Sequence, residues 1–345
     1  MPNVAVIGAG AWGTALAKVL ADKQHQTLLW SRHAEHARQI NAERVNTRYL
    51  PGAELPGCLR ATGDLEEALR GAELVVVVVP SHALRGIVRE AAPFIPKDAL
   101  VCSATKGIEN DSLMLMSEVL VDELGKDAEP RLSYLSGPSF AKEVAMGVPT
   151  AVVVAGSSEP ETHAVQHRFA TDRFRVYSSD DVVGVEVGGA LKNVIAIAAG
   201  AIDGLGFGHN SRAGLITRGL AEIGRLAARK GANLLTLAGL AGLGDLVLTC
   251  TGELSRNRTV GFEMGRGRTL DDVLSTLGHV AEGVKTTKSA YDLGSKLGVD
   301  MPITCEVYRV LYEGKAPRQA VVDIMNRALT REYTPSSGER RESPR

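Results

Sequence analysis

Cysteine is scarce. Only Cys58, Cys102, Cys250 and Cys305 occur among 345 residues, far apart and with no CxxC pair or metal-like Cys/His spacing. They read as reduced thiols in a reducing compartment, not as a disulfide framework or a metal site. An excess of charge is missing too, since 39 Lys and Arg face 40 Asp and Glu for a net charge of −1. A nucleic-acid-binding chain would usually carry a clear basic surplus, so that class is set aside. No basic n-region or cleavage site precedes the first strand-like segment, so no secretory signal is expected. The longest unbroken hydrophobic run, LVVVVV from Leu74 to Val79, falls far short of the roughly 20 residues of a membrane helix. A soluble, cytoplasmic protein without a membrane span is the expectation.

The composition is globular, with 44% hydrophobic residues, 23% charged and 37 glycines. Domains cluster around roughly 100–200 residues, so a chain of this length suggests two. The first half alternates strand and helix. NVAVIG, QTLLW, LVVVVVP, ALVCSAT, RLSYLSG and TAVVVAG read as strands, with helical segments such as GTALAKVLADKQ between several of them. The all-apolar, β-branched run at 74–80 suits a central strand covered on both faces. Repeated β-α alternation predicts an α/β, doubly wound, mostly parallel sheet. After about residue 180 strand signals vanish, and VEVGGALKNVIAIAAGAIDGL and five later segments read as helices punctuated by glycine and proline. The predicted division is residues 1–185 as a dinucleotide-binding domain, 186–330 as an all-α substrate and catalytic domain, and 331–345 as a polar, disordered tail.

The motif Gly8-x-Gly10-x-x-Gly13 directly follows the first strand and opens a helix. Alone it is weak; in a βαβ unit of this length it is a dinucleotide-binding signature of the Rossmann-like kind. Its glycines permit a tight turn, close approach to a pyrophosphate, and close helix–strand packing, while amides at the helix start bind phosphates. The end of the second strand reads LLWSRH, with Ser31, Arg32 and His33 where an NAD-selective site usually carries an acid. Arg32 suits a bidentate phosphate contact, so NADP(H) is preferred and NAD(H) remains possible; otherwise Arg32 is a solvated surface side chain.

In EVGGALKNVIAIAAG every residue from Val187 to Ala201 is apolar or glycine except Lys192 and Asn193. On a helix, Lys192 shares its face with Gly188, Gly189, Ile195, Ala196 and Ala199, which would leave room around the amine. Either the amine is a buried acid–base group with a lowered pKa, or its stem is buried and its head reaches water. Lys106, in SATKGIE, lies just past the carboxyl end of a predicted strand, where ligands of open α/β sheets bind. Asp245 sits in glycine-rich, apolar GLAGLGDLVLTC, and Ser255, Arg256, Asn257 and Arg258 then group hydroxyl, guanidinium and amide donors. That group is a candidate phosphate clamp; its alternative is a helix N-cap with solvated arginines.

These segments resemble the bacterial NAD(P)-dependent sn-glycerol-3-phosphate dehydrogenase family. The matching stretches are GAGAWGTALA, VVVVVPSHALR, SATKGIE, LSGPSFAKEV, VEVGGALKNVIAIAAG, GLAGLGDLVLTCTGELSRNRTVG and VAEGVKTT, spread over residues 7–287. The resemblance implies reversible reduction of dihydroxyacetone phosphate to sn-glycerol 3-phosphate, a phospholipid precursor. It implies Lys192 as proton acceptor, with Lys106 beside the nicotinamide and Asp245 balancing the two lysines. Gly137, Ser139, Asp245, Ser255, Arg256 and Asn257 match substrate contacts. Ala11, Trp12, Arg32, His33, Tyr49, Lys106, Ala141, Arg256, Val280 and Glu282 match cofactor contacts, beside Gly8, Gly10 and Gly13 of the turn. Ala11 stands where many relatives carry serine, a place a backbone amide can serve. A homodimer is implied by the resemblance alone. The rival readings are a β-hydroxyacid dehydrogenase, which GPSFAKEV and SRNR oppose, and an inactive NADP(H)-binding sensor.

Overall fold

The structure is a computed structural model that describes residues 3–277 and 281–332. The first half runs β1 (Asn3–Ile7), α1 (Ala11–Asp22), β2 (Gln26–Trp30), α2 (Ala34–Glu43), β3 (Val45–Asn46), β4 (Leu50–Glu54), β5 (Leu59–Thr62), α3 (Leu65–Leu69) and β6 (Leu74–Val77). It continues with α4 (Ser81–Ala91), β7 (Leu100–Ser103), α5 (Met116–Leu124), β8 (Leu132–Ser136), α6 (Ala141–Ala145), β9 (Thr150–Gly156), α7 (Glu159–Phe169) and β10 (Phe174–Ser179). Helices alone follow: α8 (Val182–Gly204), α9 (His209–Arg229), α10 (Leu234–Leu237), α11 (Asp245–Thr251) and α12 (Arg256–Gly265). The last four described are α13 (Leu270–Leu277), α14 (Glu282–Leu297), α15 (Pro302–Tyr312) and α16 (Pro317–Met325).

Eight strands form one sheet in the order β10-β9-β8-β7-β6-β1-β2-β5. All neighbours are parallel except β8 and β9. Alternate residues of the central strands point to opposite faces, and both faces are covered. Val4, Val6, Leu74 and Val76 pack with α1, while Ala5, Ile7, Val75 and Val77 pack with α4 and α5. That double burial is why these strands read as continuous apolar runs. The chain leaves β1 for β2 on one side and enters β6 on the other, so the order reverses at β1. Ligands of open sheets bind outside the strand ends at such a reversal.

The helical half is organised around α8, a 23-residue helix buried along nearly its whole length. α8 and α12 cross with glycine on both sides. A Cβ on Gly200 or Gly204 would strike the carbonyls of Arg258 or Phe262, and one on Gly261 or Gly265 the carbonyls of Ile197 or Ala201. Backbone therefore lies against backbone. Arg258 adds bonds of 3.0 and 2.8 Å to the Asp203 carboxylate of α8. At its other end α8 is tied to the sheet half. Glu186, buried, accepts from the Ser117 amide at 2.9 Å and from the Ser117 hydroxyl at the start of α5. Burial pushes the Glu186 carboxyl up to about 8.

Two helical stretches, Val182–Gly204 and Leu234–Thr251, are long and apolar enough to cross a membrane by length and composition. The first is 83% buried within the protein, as the core helix of a helical bundle is, and the second 39%. A count of unbroken runs misses both because isolated polar residues such as Lys192 and Asp245 interrupt them. Residues 333–345 lie outside the described residues, and most of the predicted tail with them.

Glu222 of α9 is fully buried and accepts from the amides of Ile303 and Thr304, each at 2.8 Å, and from the Thr304 hydroxyl. It caps α15 from a distance of 81 residues in sequence. Glu222→Ala strands three donors in the core and is expected to cost about 3 kcal/mol, each lost partner being worth roughly 1–3 kcal/mol. Urea unfolding checks this: an unchanged midpoint would remove Glu222 as a fastener of the helical half.

Candidate active site

The glycine turn after β1 shows three different uses of glycine. Gly8 has φ +120°, and a Cβ there would strike the Val78 carbonyl. A Cβ on Gly13 would strike the Gly8 carbonyl, so α1 can start only this close to β1 without one. Gly10, the N-cap of α1, has open space where its Cβ would be. The space in front of Gly10 and the amides of Ala11 and Trp12 at the helix start form a cradle that fits a pyrophosphate. Among the described residues, Trp12 Nε1 is buried with no partner, a donor left for a bound molecule.

Beneath the turn lies a buried polar hub that sequence reading did not find. Asn46 donates to the Ala9 carbonyl at 2.9 Å and to Thr14 Oγ1 at 2.8 Å. Its Oδ1 lies 3.0 Å from His36 Nε2, and His36 Nδ1 lies 3.0 Å from Ser31 Oγ. The same oxygen accepts the Tyr49 amide at 3.2 Å, and the Tyr49 ring meets His36 edge-on at 5.3 Å. Tyr49 thus stands at the turn, while Arg32 and His33 sit exposed past the end of β2. The only sequence cue for Asn46 was an amide three residues ahead of Tyr49.

The second cluster forms where α8 passes the C-terminal edge of the sheet. Lys106 follows β7 and Gly137 follows β8, two parallel neighbours. Gly137 has φ +134°. Its carbonyl accepts from Lys106 Nζ at 3.4 Å and from Ser139 Oγ at 3.1 Å. Across from them, a Cβ on Gly188 would lie 2.7 Å from the Ala241 carbonyl, and one on Gly189 2.7 Å from Ser136 Oγ and 3.6 Å from the Lys106 stem. The small residues around Lys192 admit one segment of backbone and two side chains. Ser136 Oγ is itself buried without a partner among the described residues.

Asp245 opens α11 directly after a π-helical turn, Leu240–Gly244. Its side chain is 1% exposed, and its two carboxylate oxygens are divided between two ammonium groups. Oδ2 accepts from Lys106 Nζ at 2.6 Å, and Oδ1 accepts from Lys192 Nζ. Lys192 Nζ also donates to Thr249 Oγ1 at 3.0 Å, one helical turn beyond Asp245. Thr249 too was absent from the sequence reading, although its i+4 spacing from Asp245 could have marked it. Burial lowers the Lys192 amine to about 8; Asp245 opposes that shift and the neighbouring Lys106 charge adds to it. Burial pushes the Asp245 carboxyl up, but Lys106 and Lys192 outweigh it and hold the group below its ordinary value.

Asn193, next to Lys192, accepts from Asn257 Nδ2 at 2.9 Å, and Asn257 Oδ1 accepts from the Gly283 amide at 2.9 Å. One amide therefore joins the starts of α12 and α14 to α8. Ser255 is the N-cap of α12, accepting from the Arg258 amide at 3.2 Å, and Arg256 is exposed beside it. Arg258 turns the other way, to Asp203. Burial raises the Glu282 carboxyl, and the charges of Arg256, Lys106 and Lys192 pull it back, in that order. Glu282 therefore shares one field with all three. Ala141 is the first residue of α6, a helix packed on α1. Val280 lies outside the described residues.

The chain matches two family models: NAD-dependent glycerol-3-phosphate dehydrogenase N-terminus over residues 3–162 and NAD-dependent glycerol-3-phosphate dehydrogenase C-terminus over residues 181–322. It is 54% identical over 330 residues to the glycerol-3-phosphate dehydrogenase [NAD(P)+] of Citrifermentans bemidjiense, covering 96% of this chain and 98% of that one. It is 56% identical over 322 residues to the enzyme of the same name from Anaeromyxobacter sp. strain K, covering 93% and 97%. Among solved structures, glycerol-3-phosphate dehydrogenase from Coxiella burnetii superposes with a TM-score of 0.91 at 42% identity, over 94% of this chain and 99% of that one.

Proposed function

Because the chain belongs to the NAD-dependent glycerol-3-phosphate dehydrogenase family, we propose that the lysine–aspartate–lysine cluster is the reacting centre of an enzyme interconverting dihydroxyacetone phosphate and sn-glycerol 3-phosphate. The enzyme is an NAD(P)-dependent oxidoreductase, and its product serves glycerophospholipid synthesis. When bound, the nicotinamide supplies the hydride acceptor or donor. Every other task falls to side chains of this chain.

Lys192 moves the proton. In oxidation its free amine takes the proton of the C2 hydroxyl; in reduction its ammonium returns one to the ketone oxygen. An amine with a pKa of about 8 can be recharged in either direction near neutral pH. Lys106 polarises the carbonyl oxygen, and its charge helps keep its neighbour's pKa down. Asp245 fixes both amines and offsets one of their two charges. Arg256 and the amides at the start of α12 grip the substrate phosphate, with Ser255 and Asn257 shaping that helix end. Gly137 and Ser139 close the near wall. Fixed positioning of this sort is worth several kcal/mol of barrier, within the roughly 7–11 kcal/mol ceiling for orientation. The observation that carries the reading is the division of one buried carboxylate between Lys106 and Lys192.

NADP(H) is the preferred cofactor in this reading. Arg32 is exposed at the end of β2, where an NAD-selective site usually carries an acid. The Arg32→Glu variant is expected to raise KM for NADPH about 100-fold, roughly the loss of a bidentate contact plus repulsion, and to leave NADH within a few fold. Steady-state kinetics with dihydroxyacetone phosphate and each cofactor test both claims. No oxidation of either nicotinamide would sink the reaction, and equal losses for both cofactors would sink the preference. A cytoplasmic home is supported by four free thiols. A homodimer rests on family resemblance, and sedimentation velocity checks it.

A further inference from the structure

We propose that Lys285, in the first turn of α14, is a second cation for the 2′-phosphate of NADP(H), reaching from the helical half toward the corner that Arg32 occupies on the sheet half. The inference deepens the NADP(H) preference argued from Arg32 and rests on it.

Arg32 follows β2 and His82 follows β6, the two strands that flank β1. Both are exposed at the sheet edge that carries the glycine turn. An adenosine lying across the end of β1 falls between these neighbours. The start of α14 comes down on the same spot. A Cβ on Gly107 would lie 2.6 Å from Ser81 Oγ and 3.6 Å from Thr286 Oγ1, so the first turns of α4 and α14 converge there. Ser81 precedes His82, and Lys285 precedes Thr286.

His82 registers both cations. Burial holds its imidazole below the ordinary value, and the charges of Lys285 and then Arg32 hold it lower still, with no carboxylate opposing them. Among the described residues, neither Arg32 nor Lys285 takes part in an ion pair. Among the described residues, Thr286 Oγ1, next to Lys285, is buried without a hydrogen-bond partner. Basic side chains gathered around one point without a counter-charge repel one another unless an anion sits among them. A phosphate ester supplies that anion; the free 2′-hydroxyl of NAD does not. Lys285 thereby contributes to discrimination as well as to affinity, and does so only while the helical half stands over the sheet.

Calorimetric binding of NADPH, NADH, 2′,5′-ADP and 5′-AMP to the full chain tests this without turnover. Lys285→Ala is expected to weaken NADPH and 2′,5′-ADP about tenfold, the scale of one charge-assisted contact, and NADH and 5′-AMP at most about twofold. Lys285→Arg should bind all four as the wild type does. Arg32→Ala is measured in parallel. If Arg32→Ala is selective for the phosphorylated pair and Lys285→Ala is not, the role of Lys285 falls and the cofactor preference stands. If neither variant is selective, both fall. If Lys285→Ala weakens all four probes alike, the side chain grips a part common to both cofactors, and its role in specificity is overturned.

Discussion

Lys192→Ala is expected to lower kcat about 10³-fold, within the roughly 10²–10⁴-fold range for a positioned acid–base group, while NADPH still binds. The argument starts from burial. The Lys192 side chain is 10% exposed, and its amine is held by Asp245 and Thr249. Lys106 does not take its place, because it is held on the far oxygen of the same carboxylate. Alanine leaves a space one propylamine long, bordered by glycine. Added primary amines should therefore restore part of the rate of glycerol 3-phosphate oxidation, increasingly as pH rises past the amine's own pKa. Fluorescence of bound NADPH separates lost chemistry from lost binding. Turnover near that of the wild type would remove Lys192 from the reaction.

Asp245→Asn is expected to cut kcat/KM by about 10²–10³-fold, because removing one partner of a buried ion pair costs roughly 3–5 kcal/mol. It should also move the pH profile. Glycerol 3-phosphate oxidation requires the free Lys192 amine, so its rate rises with pH through about 8. Ketone reduction requires the ammonium, so its rate falls over the same interval. Asp245 is the largest influence raising the Lys192 pKa, while Lys106 lowers it. With the carboxylate gone and Lys106 still charged, the Lys192 pKa drops, and both limbs shift to lower pH. Steady-state rates from pH 6 to 10 in both directions check this. Limbs that stay in place, or move upward, would mean that Asp245 does not set the protonation of Lys192. Asp245→Ala tests the same sign with a smaller side chain.

Much of this site could be read from the chain before any fold was known, but only one segment at a time. Lys192 stood out because a charge interrupts an apolar helix, and Gly8, Gly10 and Gly13 because their spacing matches a turn. Their meeting points did not. Asp245 is 53 residues from Lys192 and 139 from Lys106, and no local pattern joins positions so far apart. Asn46, Thr249 and Glu222 escaped for the same reason, since an uncharged or isolated polar residue in a loop or helix looks like solvated surface until its partner is found. The sheet was legible where strands are buried on both faces. It was not at the two edges. LRAT of β5 is four residues long, and FRVYSS of β10 alternates buried and exposed, so neither shows a continuous apolar run. The antiparallel β8–β9 pair was also hidden, because strand direction depends on the route of α6 and not on composition.

The glycine crossing of α8 and α12 has a mechanical consequence. With the two main chains in direct contact, the start of α12, where the proposed phosphate grip lies, keeps a fixed place relative to Lys192 on α8. Those two travel as one jaw, and the span between them is a ruler built from peptide bonds. Any opening along the other seam, where Glu186 meets Ser117, would leave that span unchanged. In the proposed reading, a triose phosphate is matched against that fixed span.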